Sequence, residues 1–195
     1  MAAPARQRIL DATARLLREK GIARLTTREI AQAADAAEGS ITKNFGGKLG
    51  LLTALLSSDL PETVAWRDAL TPPTPHPEDL RAVLTQAADA AIDYYAAALP
   101  LIAGAVSDAT LFEAYRAVNT ANGTGPQVAV AQMTDYLSAW QQTGALDPAA
   151  DTAALAVMFC GAAQLHAWTD YLAGPDALPG SRADRIDQIL TTLLR

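Results

Sequence analysis

A chain of 195 residues with a formal charge of −6, half of it hydrophobic and only 6% aromatic, can bury one sizeable core, or a small domain joined to a larger one. Two histidines and one cysteine are too few for the common His/Cys metal clusters, and one cysteine rules out an internal disulfide. With no nucleophile elbow and no HExxH pair in the sequence, catalysis is not expected, nor is a metal or cofactor.

Alanine fills many of the apolar stretches, no segment alternates in the β-branched manner of a strand, and prolines and glycines fall between periodic segments. These features predict an all-α chain. The charge is unevenly spread. Through Leu56 there are nine basic and five acidic residues, a net of +4 that leaves −10 for the remainder, and all three lysines lie in this first part. A basic end on an acidic body fits a chain that meets a polyanion at one end. The longest clean apolar run, Ala153 to Ala163, is well short of the ~20 residues needed to cross a bilayer. The amino terminus passes directly into charged amphipathic sequence, unlike a secretory signal. A cytoplasmic protein without membrane contact is expected, with Cys160 a buried structural thiol.

The first helix is predicted from Arg6 to Lys20, with Ile9, Leu10, Thr13, Leu16 and Leu17 on one stripe and Gly21 as its stop. A second follows with Thr26 as N-cap and Glu29 three residues on, the capping-box spacing, burying Ile30, Ala31 and Ala34. Asp35 tolerates turn geometry, and small Ala36 allows the next helix to approach closely. That third helix runs from about Glu38 to Phe45. Ile41 and Phe45, four residues apart, face the core and leave Ser40, Thr42, Lys43 and Asn44 outward. Hydroxyl, ammonium and amide groups suit base edges and phosphates in a major groove. Gly46 and Gly47 end the helix, and Lys48 begins the next one, where an ammonium beside free backbone N–H groups suits a phosphate. Thr27 and Arg28 join these residues as DNA-contacting candidates.

The segments "RILDATARLLREKG", "LTTREIAQAA" and "GSI...NF..K..LL" stand in an order and spacing that resemble the DNA-binding end of the tetracycline-repressor (TetR) family. The resemblance covers roughly the first quarter of the chain. It implies an all-helical homodimer, with a helix-turn-helix domain at 1–48 and a ligand-binding and dimerisation domain at 49–195. It also implies a double-stranded DNA operator of approximately palindromic sequence and repression relieved by a small-molecule inducer. Four positions depart from the family pattern of a turn glycine, a Ser or Thr cap and an aromatic pair: Asp35, Ala37, Thr42 and Asn44. A lost cap costs ~1 kcal/mol. Glu38 recovers part of this through the helix dipole, yet meets a phosphate-rich partner unfavourably. The expectation is an unusual operator or weaker binding. The alternatives are a helical protein-interaction module that kept the fold and lost DNA binding and, behind it, a helical enzyme.

Beyond this, Leu49 to Leu70 reads as a connecting helix through Trp66, and the four prolines around "TPPTPHP" read as a loop in which His76 is a solvated linker residue. A long helix is predicted from Pro77 to Leu99, a shorter one from Pro100, then Asp108 to Thr120 and Gln127 to Thr143. Asp147 and Pro148 read as N-cap and first residue of a helix reaching Ala173. A last helix carries Ile186, Ile189, Leu190, Leu193 and Leu194. Apolar stripes on the final two helices suit either a two-fold four-helix interface or the internal core. Candidate walls of a ligand pocket are Tyr94, Tyr95, Tyr115, Met133, Tyr136 and Phe159, with Gln164 and His166 as polar members in an otherwise apolar helix.

Overall fold

The computed structural model describes residues 4–21, 24–56, 61–70 and 80–194, and the "TPPTPHP" stretch with His76 lies outside them. The described residues form helices alone: α1 (Ala5–Lys20), α2 (Thr27–Ala33), α3 (Gly39–Phe45), α4 (Lys48–Leu56), α5 (Pro61–Ala69), α6 (Leu80–Val106), α7 (Ala109–Asn122), α8 (Pro126–Gln142), α9 (Thr152–Ala173) and α10 (Arg182–Leu193). They divide into two compact units. One comprises Met1–Ser58 and Pro100–Thr124; the other comprises Asp59–Leu99 and Gly125–Arg195.

In the first unit, the stripe of α1 is buried in full, including Thr13, whose hydroxyl donates to the Ile9 carbonyl at 2.6 Å and so enters the core without an unmet polar group. Ile30, Ile41, Leu51 and Leu55 complete an interior into which α1, α2, α3 and α4 each send side chains. Each such side chain contributes about 1.5–3 kcal/mol on burial. Helix α7 packs on α4, begins at Asp108, whose carboxylate accepts from the Leu111 N–H, and buries Leu111.

The second unit is built on the pairing of α8 and α9. Ala129, Met133, Tyr136, Leu137 and Trp140 meet a core that Ala156, Phe159, Cys160, Ala163 and Ala167 supply from α9. The small residues on α9 let the backbones approach while the rings on α8 fill the space between. Trp66 of α5 enters the same core and donates its indole N–H to Gln132 at 3.1 Å. On the outer side, Arg182 of α10 holds Asp89 and Asp93 of α6 at 2.8 Å each, and Arg81 pairs with Asp187.

Three boundaries differ from the sequence expectation. The single connecting helix is two, α4 ending at Leu56 and α5 starting at Pro61; proline lacks an N–H and suits a helix start rather than an interior. At Pro100 the reverse holds, because α6 runs through it as one helix. An interior proline costs roughly 3 kcal/mol; burial of Leu99, Leu101 and Ala105 around it offsets that loss. At 27 residues, α6 is long and apolar enough by length and composition to cross a membrane. Leu84, Ala87, Ala91, Ile92 and Tyr95 pack it into the core of the second unit. Finally, α9 is capped by Asp151, not Asp147. Asp151 accepts from the N–H groups of Ala153 and Ala154 at 3.1 and 3.0 Å. Asp147 instead closes a turn by accepting from the Ala149 N–H at 2.8 Å. Gln141 holds that turn by donating to the carbonyls of Asp147 and Ala150.

Candidate functional site

The corner between α2 and α3 is fixed from several sides. Thr26 and Glu29 form the expected capping box, and Lys20 of α1 reaches Glu29 at 3.0 Å. Those bonds, the lysine's first, hold the Glu29 carboxyl below its usual range. Asp35 carries the turn at a φ of 49°, the left-handed conformation that Asp tolerates better than most residues. Arg8 of α1 donates to the carbonyls of Ala34 and Asp35 at 3.1 and 3.0 Å. These donations satisfy the groups that the turn leaves exposed.

Helix α3 then presents its residues much as the spacing requires. Ile41 is buried, while Phe45 is half-buried, its ring lying 5.3 Å below the Arg6 guanidinium. Thr42, Lys43 and Asn44 are exposed, Ser40 and Lys48 half-exposed. The Asn44 amide donates one N–H to the Ser40 carbonyl at 2.7 Å, which leaves its oxygen and its second N–H for outward contacts. Gly46, at a φ of 73°, ends the helix and returns its N–H to the Thr42 carbonyl. No side chain caps the start of α3: the position before Gly39 is Glu38, whose carboxylate is bonded to Thr27 at 2.9 Å. Of the residues read as contacting DNA, Arg28 is exposed and Thr27 half-buried in this bond. The surface so formed offers hydroxyl and ammonium groups on one short helix, with a second ammonium at the head of the next.

The residues proposed from sequence as a pocket wall do not form one group. Tyr95, Met133, Tyr136 and Phe159 lie in the core of the second unit, with Tyr94 packed against it. Tyr115, on α7, belongs to the first unit. Gln164 is exposed on α9, so it has no buried polar group that calls for a partner inside the chain. Tyr136 also lines a groove of about 380 Å³ with Arg67, Leu70, Gln132 and Asp135. Its hydroxyl and the indole N–H of Trp140, one turn further along α8, are buried with no partner beyond each other. Burial pushes the Tyr136 phenol above its ordinary range.

His166 is tied into the packing of α9 on α10. Arg185 Nε and Nη2 lie 3.0 and 2.8 Å from its Nε2, and Asp170 Oδ2 stands 3.3 Å from Nδ1 without hydrogen-bond alignment. A guanidinium only donates, so Nε2 accepts and the proton sits on Nδ1, on the side of Asp170. Burial, reinforced by Arg185 and Arg182, holds the imidazole below its ordinary pKa of 6.5 against the opposing pull of Asp170. The unfolded chain therefore takes up the extra proton first. This contribution to stability is whole above the unfolded value and is lost as pH falls from there towards the lower folded value. Stability measured by denaturation from about pH 7.5 to 5 should decline, by at most one proton's slope of about 1.4 kcal/mol per pH unit. His166→Gln should flatten that decline, and an unchanged slope would remove His166 as its source.

Comparison with known proteins bears on the helix-turn-helix. Residues 9–55 match the family described as bacterial regulatory proteins, tetR family. Over 54 residues the chain is 50% identical to an uncharacterized HTH-type transcriptional regulator, YvkB of Bacillus subtilis. The chain carries a TetR-family helix-turn-helix domain. That match covers 28% of this chain and 29% of the relative, so the chain spans under a third of the length of the curated relative it matches. The solved structure of Salmonella enterica GusR is 20% identical, with a TM-score of 0.69 over 98% of this chain and 95% of that one. Bacillus subtilis FadR, solved in complex with stearoyl-CoA, is 15% identical, with a TM-score of 0.62 over 96% of this chain and 97% of that one. At these identities the likeness is one of fold, and it extends along nearly the whole chain.

Two positions of the TetR-type domain escaped the sequence reading. Arg8 counted only as charge, and nothing local marks it as the residue that holds the turn. Gly50 sits inside α4, where an added Cβ would overlap the Phe45 carbonyl oxygen. An isolated glycine within the apolar pattern "KLGLL" was the available signal, since such a residue commonly marks a close backbone approach.

Proposed function

We propose that the protein is a homodimeric transcriptional regulator that binds a palindromic double-stranded DNA operator, most simply as a repressor released by a small molecule. The observation that carries this reading is the outward row Thr42, Lys43 and Asn44 on α3, with Lys48 behind it, in a domain of the TetR type. A regulator of this family typically has no catalytic role, and no reaction is assigned. The protein would act in the cytoplasm, where its operator lies.

Helix α9 supports the dimer. Val157, Met158, Leu165, Trp168, Tyr171 and Leu172 are all exposed on it, at spacings that place them along one side of the helix. The outward positions of α10 carry no large apolar side chain: beside Ala183 they are Asp184, Asp187, Gln188, Thr191 and Thr192. The two-fold contact is therefore assigned to α9. For the ligand, the reading rests on Tyr136 and Trp140, whose buried hydroxyl and N–H have no partner beyond each other. A largely apolar molecule bearing a hydrogen-bond acceptor would satisfy them. Such a ligand acts by preferring the dimer whose two reading helices are wrongly spaced for the operator. A coupling of about 1–3 kcal/mol gives a 5- to 150-fold change in affinity.

The test is selection from a pool of randomised duplex DNA. Enrichment of an inverted repeat with half-site centres one helical turn apart, ~34–36 Å, or a multiple of it, is expected. Affinity should fall as salt rises, through Arg28, Lys43 and Lys48 displacing counterions. A folded protein that enriches no sequence even at low salt overturns the proposal.

A further inference from the structure

The bond between Thr27 and Glu38 joins the first turn of α2 to the residue that leads into α3, at 2.9 Å between Thr27 Oγ1 and Glu38 Oε1. A carboxylate at neutral pH only accepts, so the shared proton is the hydroxyl's. With that proton committed, the Thr27–Glu38 pair itself presents outward only lone pairs, those of the threonine oxygen and those left on the exposed Glu38, beside the exposed Arg28 guanidinium. This is an unusual device on a surface of net positive charge. Phosphate oxygens also accept, so neither group can bind the DNA backbone, and the carboxylate repels it. The donors that a major groove displays are the amino groups, N4 of cytosine and N6 of adenine. A carboxylate suits the single donor of cytosine, whereas adenine places an acceptor, N7, beside its amino group. Glu38 also stands at the entry to the recognition helix, the end whose residues meet base edges in helix-turn-helix proteins.

We propose that Glu38, oriented by Thr27, is a specificity-determining residue that selects a C·G pair at one position of each half-site. The inference rests on the DNA-binding reading above. Thr27 is accordingly a positioning residue rather than a phosphate contact, and the carboxylate lowers affinity for DNA that lacks the cytosine.

The test repeats the selection from randomised duplexes with the native protein and with Glu38→Gln, Glu38→Ala and Thr27→Val, each checked for helix content. The native protein should show one cytosine column per half-site, with a preference of roughly tenfold. Glu38→Gln keeps the length of the side chain and can still bond Thr27, but gains a donor. It should convert the same column to adenine, whose N6 and N7 match an amide. Glu38→Ala should erase the column, leave the others in place and bind unrelated DNA more tightly. Thr27→Val should weaken the column alone. If Glu38→Gln and Glu38→Ala return the native set of columns, the Thr27–Glu38 bond is only a tie between helices, and the inference falls while the regulator reading stands. If the native protein enriches nothing, both fall together.

Discussion

Leu165→Glu combined with Leu172→Glu should yield a folded monomer whose affinity for a palindromic operator is about 10²- to 10⁴-fold lower, the range that joining two binding modules typically contributes. Both residues are more than three-fifths exposed, at 61% and 63%, so replacing them removes little packing within one chain. Their exposure is the argument for the interface. Six large apolar side chains on one 22-residue helix form a patch of the kind that a monomer seldom leaves open to water. In a two-fold contact each residue meets the same stripe on the partner. A pair of carboxylates introduced there is buried without counter-charge, which is strongly destabilising to the contact and harmless in the separated chain. Sedimentation equilibrium reports the mass, and a gel shift on the selected operator reports the affinity. A dimer that survives both glutamates would place the contact elsewhere than on α9.

What could be read in advance depended on whether a local signal had a rival. The stripe of α1, the Thr26–Glu29 capping box and the turn at Asp35 were each the single strong feature in their neighbourhood, and all three stand in the structure. Asp147 and Asp151 are both plausible caps four residues apart. Residues of the preceding helix weigh between them, Gln141 by pinning the intervening turn and Ser138 by bonding Thr152 at 3.0 Å. Pro100 announces a break that the burial of its neighbours overrides. In the same way, an apolar helix such as α9 is apolar around much of its circumference. Spacing then cannot say that Phe159 and His166 turn inward while Gln164 and Trp168 turn outward. The Thr27–Glu38 bond links residues eleven apart across a turn, and no local pattern encodes it.

Gly50→Ala should destabilise the unit that holds the helix-turn-helix by about 2–3 kcal/mol, the upper part of the range for forcing atoms into a filled site. The added Cβ would overlap the Phe45 carbonyl oxygen and stand 3.0 Å from its carbonyl carbon. Both are backbone atoms, so no side-chain rotation relieves the clash. Relief requires that α4 move away from the end of α3. That movement would displace Lys48 from Lys43 and loosen the interior formed by Ile41, Leu51 and Leu55. Loss of operator affinity should therefore accompany loss of stability. Gly39→Ala is the control, because a Cβ at this first residue of α3 meets nothing within 4 Å. It should be neutral or stabilising by up to ~1 kcal/mol, since alanine loses less conformational freedom in a helix than glycine. Urea denaturation of the two variants beside the native chain separates these outcomes. If Gly50→Ala proved as stable as Gly39→Ala, the close approach of α4 to Phe45 would not be what sets the angle between α3 and α4.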